Sequence, residues 1–235
     1  MASSTFLSED SYPLARFALP IPLQVALVSA FLVSVPVFLQ APLVRYAPWV
    51  SLVLTIPWLG MSLHFISAGS RWGSLLYGFT LTWLAGSLYW GWLRTDPLWH
   101  LPIEALGLPL AIWGLRRGFA TIGQYFYLGS LLGTAVTDLY IHSVHLLPEW
   151  RQVMQAEAFE LAGSAFFSAL DKMQTPWGMV WALELSLLLL VVGLWSLHYG
   201  WKTQQLTWWA FSGAVLSTLL VDSLFWWGAM LLAHP

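Results

Sequence analysis

The chain predicts an all-α fold: a polytopic transmembrane helical bundle of about seven spans, with one amphipathic helix at the membrane interface. Three observations carry this. Of its 235 residues, 58% are hydrophobic and only 9% charged, where a soluble domain carries about 25% charged residues. Apolar runs of about the length that crosses a hydrocarbon core of roughly 30 Å recur along the chain. No stretch alternates with period two for long enough to suggest a barrel. With 9 Lys and Arg against 11 Asp and Glu, there is no basic footprint for a nucleic acid and too little charge to solvate a globule of this size.

In chain order, residues 1–19 read as a polar tail holding Glu9, Asp10 and Arg16. A signal peptide begins with a basic region, so this tail is expected to be retained. The spans are expected at 20–40, 47–68, 73–93, 98–115, 121–147, 177–199 and 207–232. Between them lie QAPLVRYAP, AGSRWG, RTDP, RRG, the stretch 148–176 and YGWKTQQ. All links but 148–176 are too short to fold separately, so 20–235 is expected to form a single transmembrane domain. With seven spans, Arg16, Arg71, Arg116, Arg117 and Lys202 share one side, and Arg45, Arg94, Arg151 and Lys172 the other. Basic loops favour the cytoplasm, which places the N-terminus inside and the C-terminus outside or in a lumen.

Within 148–176, Glu157, Glu160, Ser164, Ser168 and Asp171 recur at steps of three and four. Phe159, Ala162, Phe166, Leu170 and Met173 fall between them, a helical period with one apolar stripe. This predicts a helix over 157–173 lying along the interface, with an acidic face that caps the bundle or receives a partner. The absence of cysteine excludes disulfides, thiolate metal sites, a thiol nucleophile and palmitoylation.

Seventeen tryptophans are far more than an ordinary share. Trp49, Trp72, Trp99, Trp150, Trp177, Trp201 and Trp208 flank spans, as in an interfacial belt. Trp58, Trp83, Trp113 and Trp195 fall mid-span, where they either pack helices or line a cavity for a flat apolar ligand such as a carotenoid, quinone or chlorophyll ring. A weak repeat relates GSLLGTAVTD at 129–138 to GAVLSTLLVD at 213–222, with a fainter echo of SLYW at 87–90 in SLFW at 223–226. Its small residues at four-residue spacing suit close helix packing; duplication of spans five and seven is the other reading.

Four acids fall at membrane depth: Glu104, Asp138, Glu184 and Asp222; Glu184, seven residues past Trp177, reads alternatively as lying near an interface. A charge there is costly, on the order of 3 kcal/mol on insertion scales, and no Lys or Arg lies at matching depth. Such acids are expected to face the interior and to hold protons or share a cation. With His142, Thr134 and Thr218 they form the candidate intramembrane polar site, either a proton or cation pathway or a set of helix contacts hydrogen-bonded with the aid of Thr134, Thr137 and Thr218. Asp138, His142 and His145 stand at i, i+4 and i+7, and His100 and Glu104 are four apart. Carboxylate and imidazole on two helices suit a divalent metal or an axial porphyrin ligand, though the spacing matches no specific metal motif. Pro102 and Pro109 flank Glu104; each removes a helix hydrogen bond, which makes a kink or a broken helix beside an acid.

QAPLVRYAPWVSLVLTIPW, AGSLYWGWLRTDPLWHLPIEALGLP, GSLLGTAVTDLY with LLPEWRQVMQ, QTPWG, and WWAFSGAVLSTLLVDSLFW together resemble a cyanobacterial integral-membrane family of unknown function, over nearly the whole chain except the tails. The resemblance implies a thylakoid or plasma membrane and carries over no catalytic residue and no cofactor. YGFTLTWLAGSLYW is also faintly similar to a membrane helix of apolipoprotein N-acyltransferases, whose nitrilase domain has no counterpart here. No GxSxG, Walker A or dinucleotide fingerprint is present, so the reading leans away from an enzyme. The leading expectation is small-solute or cation- or proton-linked transport through the buried acids. The alternative is an accessory, assembly or pigment-binding protein of photosynthetic membranes, its partners the bilayer, a photosynthetic complex or a pigment. An intramembrane enzyme acting on an isoprenoid or lipid stands third.

Overall fold

A computed structural model describes residues 19–156 and 163–233, and among these all regular structure is helical. The first helix, α1 (Ile21–Val35), runs through a π-helical turn at Pro36–Gln40 into α2 (Ala41–Tyr46). The expected break at 40–48 therefore shrinks to Ala47, where φ is −144° and ψ 64°. Pro42 does not end the helix, because it sits in the first turn after the π turn, where a missing N–H costs little.

After Ala47 come α3 (Pro48–Ser67), α4 (Arg71–Leu88) and a second π turn at Tyr89–Leu93. The fourth expected span is interrupted, as Pro102 and Pro109 suggested. A 3-10 turn at Pro97–Trp99 leads into α5 (His100–Glu104), and a second at Ala105–Gly107 separates it from α6 (Leu108–Arg117). Next are α7 (Thr121–Ser143), α8 (Leu147–Gln155), α9 (Gly163–Met173), α10 (Pro176–Thr203) and α11 (Leu206–Ala233).

Five helical stretches are long and apolar enough to cross a membrane: Ile21–Tyr46, Pro48–Ser67, Pro97–Arg117, Pro176–Thr203 and Leu206–Gly228. The other two expected spans correspond to α4 with its π turn and to α7. Both have adequate length, but they are rich in Gly, Ser, Thr and Tyr and bury much of their surface against other helices. Neither is apolar enough to count among the membrane-crossing helices.

Val25, Leu75, Phe79, Trp83, Phe126, Ala210 and Ala214 form the main core, joining α1, α4, α7 and α11. Glycines set the helix separations. Gly78 and Gly123 bring α4 and α7 into backbone contact, and a Cβ on Gly129 would lie 2.7 Å from the Phe211 carbonyl oxygen. Gly133 abuts Thr218, whereas Gly213 abuts Ala26 of α1. The repeat segments of α7 and α11 thus lie side by side and serve close packing. Of the mid-span tryptophans, Trp58 and Trp83 pack edge-on to each other and against Phe79. Trp113 and Trp195 face outward, so the four do not share a ligand cavity.

The turns gather at two ends. At the first end Ile66, Phe119 and Ala120 share a cluster, and Leu115, Thr121, Tyr125, Gln205 and Leu206 line a shallow cleft. At the second end Arg45 donates to the Ala156 carbonyl at 2.6 Å, and Trp177 Nε1 to Ser143 O at 2.8 Å.

The stretch 148–176 is not one helix. Its described part forms α8 and α9, and the expected helical turns at 157–162, with Glu157, Phe159, Glu160 and Ala162, lie outside the described residues. α9 is amphipathic as expected, with Ala165 and Leu170 buried and Ser164, Ser168 and Asp171 exposed. α8 docks on the turn before α5: Trp150 Nε1 donates to Arg94 O at 2.9 Å, and Arg151 pairs with Asp96 at 3.2 Å. Buried Glu149 ties α8 to α9, accepting from Lys172 Nζ and from Ser168 Oγ.

Candidate functional site

The acids at membrane depth separate into three places. Asp138, one turn before the end of α7, is buried. His100, the first residue of α5, reaches it: Nδ1–H donates to Asp138 Oδ1 at 2.9 Å. His142 Nδ1–H donates to the backbone oxygen of Asp138 at 2.7 Å, not to its carboxylate. The imidazole of His100 stacks on Tyr89 and meets the edge of Trp90, so rings from the second π turn hold its plane.

Glu104 follows one turn after His100 on α5 and is buried. Its carboxyl lies close enough to His100 and Asp138 to interact with both electrostatically, yet accepts no hydrogen bond from a described side chain. Its backbone oxygen does accept one, from Tyr127 OH at 2.6 Å. The interruption at Ala105–Gly107 makes this possible, because Gly107 lets the Tyr127 ring approach so closely that a Cβ there would lie 2.9 Å from it. One turn back along α7, Gln124 is fully buried, and neither end of its amide has a hydrogen-bond partner. His100, Asp138, Glu104, Tyr127 and Gln124 thus lie along the contact of α5–α6 with α7 as a polar file, in which hydrogen bonds join His100 to Asp138 and Tyr127 to the Glu104 backbone, while Gln124 is bonded to none of them. From Asp138 to Gln124 it covers roughly 21 Å at about 1.5 Å per residue.

Asp222 is elsewhere. It accepts from Thr137 Oγ1 at 3.0 Å, on the flank of α7 next to that of Asp138, so the structure does not bring the two repeat-related aspartates face to face. Of the three threonines expected to bond the buried acids, Thr137 makes this contact, and Thr218 donates to Ala214 O at 3.4 Å within its own helix. Glu184 stands apart from all of these, exposed on α10. His145 does not extend the Asp138–His142 face, because α7 ends at Ser143 and His145 turns through φ 58°. Among the described residues no three His, Cys, Asp or Glu side chains converge as a metal centre requires.

Sequence reasoning left His100, Tyr89 and Tyr127 out of the site. The four-residue spacing of His100 and Glu104 was the available signal, but nothing local links His100 to a carboxylate 38 positions away.

Outside the membrane-spanning helices, Glu149 shows how a carboxylate is held charged. Burial works to raise its pKa, but the Lys172 ammonium, a backbone hydrogen bond and the Ser168 hydroxyl outweigh that and hold it below its ordinary value.

These features define a membrane-embedded helical protein with a buried acid–imidazole centre near one end of its bundle. The chain belongs to the family described as "Protein of unknown function (DUF3120)", whose model matches residues 29–230. No curated relative and no solved structure matches it.

Proposed function

We propose that this protein moves protons, alone or coupled to a small solute or cation, through the polar file that begins at His100 and Asp138. The observation that carries the reading is the buried His100–Asp138 hydrogen bond at 2.9 Å, with the Glu104 carboxyl one helical turn away. Ionisable residues inside a membrane are costly and mark ion or proton routes by default. Imidazole is the side chain best suited to exchanging a proton near neutral pH. A proton arriving from the second end meets His100, the more exposed partner, passes to Asp138 and is next within reach of Glu104. Tyr127 and Gln124 continue the hydrogen-bonding groups toward the first end.

In this reading α4 and α7 also cross the membrane, which gives seven spans with the termini on opposite sides. With Arg16 of the tail, the first end carries Arg71, Arg116, Arg117 and Lys202, five Lys and Arg against the four of the second end, Arg45, Arg94, Arg151 and Lys172. That small excess favours the first end in the cytoplasm. The sequence resemblance supports, for this reading, a cyanobacterial host and a thylakoid or plasma membrane.

The test is reconstitution in proteoliposomes with an internal pH dye and an imposed proton gradient. Protein-dependent dissipation is expected, and Asp138→Asn and His100→Gln should abolish it at unchanged abundance. Flux equal to that of empty vesicles, with and without added small solutes and cations, would falsify the proposal.

A further inference from the structure

Gln124 is fully buried, yet neither its amide nitrogen nor its amide oxygen has a hydrogen-bond partner. The group lies under α6. A Cβ on Gly114 would stand 2.5 Å from Gln124 Nε2, so a glycine is what lets the helix seat on the amide. A buried polar group left without a partner shifts an equilibrium against its own state by about tenfold. The seated position of α6 therefore carries a standing penalty, which water reaching the amide would relieve.

α6 is also loosely tethered. Of its 10 residues only Ala111 and Gly114 are buried, while Leu110, Ile112, Trp113, Arg116 and Arg117 are exposed. On one side the 3-10 turn at Ala105–Gly107 separates it from α5, and Tyr127 anchors the start of that turn through the Glu104 carbonyl at 2.6 Å. On the other side Gly118, at φ 67°, and Ala120, at φ 50°, lead the chain into α7. Hinges are a few element-terminal residues that absorb changes in φ and ψ. The last turn of α6 also borders the cleft of the first end, where Leu115 stands beside Thr121, Ile122 and Tyr125. One turn of α6 thus walls the cleft with Leu115 and covers Gln124 with Gly114.

We propose that α6 is a door between this cleft and the buried Gln124 amide. It pivots on Ala105–Gly107, its Gly114 end lifts off α7, and water from the cleft reaches Gln124. Lifting gives up one small apolar contact, Ala111 against the cluster of Tyr77, Leu81 and Tyr127, and lets the amide form bonds at both ends. As the gate at the first end of the proton route, the door rests on the reading above; the movement itself does not.

The chain contains no cysteine, so a single one reports the movement. Ala111 and Ala210 are both fully buried, and cysteine is a small apolar replacement for either. In native membranes a water-soluble methanethiosulfonate is expected to modify Ala111→Cys about tenfold faster than Ala210→Cys, which sits on α11. Adding Gln124→Leu removes the orphaned amide and keeps apolar bulk, so it should slow modification of Ala111→Cys by about tenfold. Equal rates at the two positions would overturn the proposal. So would modification of Ala111→Cys that Gln124→Leu leaves as fast or makes faster, since the amide would then be satisfied while α6 is seated. If Gln124→Leu does not accumulate, the comparison of Ala111→Cys with Ala210→Cys decides alone. None of these readouts depends on proton flux: the expected labelling in a protein that dissipates no gradient would keep the door and remove the route.

Discussion

The ring of Tyr89 lies over the imidazole of His100, with centroids 4.3 Å apart and planes 25° from parallel. This stack joins the second π turn to the first residue of α5 and fixes the imidazole with Nδ1 toward Asp138. Trp90 holds its edge, and Trp150 of α8 in turn packs on Trp90 at 5.9 Å. The geometry of the buried His100–Asp138 pair therefore depends on a column of rings reaching the surface helix.

Removing the stacked ring should uncouple the pair. Tyr89→Phe keeps the ring and is expected to leave thermal stability within about 1 kcal/mol of the parent. Tyr89→Ala empties a fully buried site and should cost about 3–5 kcal/mol. Unfolding followed by tryptophan fluorescence in detergent checks both. Equal loss in the two variants would show that the hydroxyl, not the ring, matters.

The glycine contacts make a sharper forecast. A Cβ on Gly123 would collide with the Ser74 carbonyl oxygen, whereas one on Gly60 meets nothing within 4 Å. Gly123→Ala should therefore destabilise by roughly 1–3 kcal/mol through overpacking. Gly60→Ala should be neutral or stabilising by up to about 1 kcal/mol. Membrane abundance and melting temperature of the two variants are the measurements.

Gln40 is a third test. Its amide nitrogen donates to Trp83 O at 2.6 Å and to Ser87 Oγ at 2.8 Å, while Trp83 Nε1 donates to Ser51 O at 2.8 Å. Gln40→Leu removes the two bonds from the amide, while Trp83 O keeps one from Ser87 Oγ at 2.9 Å and Ser87 Oγ keeps one with Ser51 Oγ at 2.8 Å, so the cost is that of lost bonds, about 0.5–1.5 kcal/mol for each. Thermal unfolding should show a clear loss, with α3 and α4 becoming accessible to protease before the rest.

The docking of α9 on α8 should depend on acid. The folded protein holds the Glu149 pKa below its ordinary 4.5. A depressed pKa contributes stability that is present above the unfolded value and lost as pH falls through the folded one. The α8–α9 contact should therefore be intact at neutral pH and weaken from about pH 4.5 downward. Hydrogen exchange of α9 against pH measures this. Glu149→Gln should exchange faster at neutral pH and lose the acid step; an unchanged acid step would assign it to another group.

Topology is open to a direct check. With seven spans, single cysteines replacing Arg117 and Arg151 should label from opposite sides of the membrane with an impermeant maleimide. Labelling of both from one side would remove a span.

The helices were legible because long apolar runs broken by polar or proline-rich turns have few other solutions. What lies within them was less so. The continuity through 41–46 was hidden because Pro42 reads as a breaker unless the preceding turn is known to be wide. Asp138 was visible as a costly acid, but its partner depends on how α5 is rotated, and local sequence does not record that. α10 shows the same gap more plainly. It is apolar around its whole circumference, so hydrophobic periodicity cannot say which face is inside, and Glu184 gave no warning that it points outward. Asp222 and Thr137 lie 85 positions apart, and only the approach of α11 to α7 connects them.

The π turn at Pro36–Gln40 has an evolutionary and mechanical consequence. Such a turn is an α-helix carrying one surplus residue, absorbed as a bulge. Deleting Val37 would let the ladder close to regular α geometry and swing everything on one side of it by about 100° relative to the other. Gln40 would leave the serines of α3 and α4, and Arg45 would leave the Ala156 carbonyl. The bulge is a phase shifter: upstream of it the helix is set for Val25 to meet the core, and downstream for Gln40 and Arg45 to meet theirs. One extra residue lets a single rod satisfy two neighbourhoods that no uniform helix could serve together.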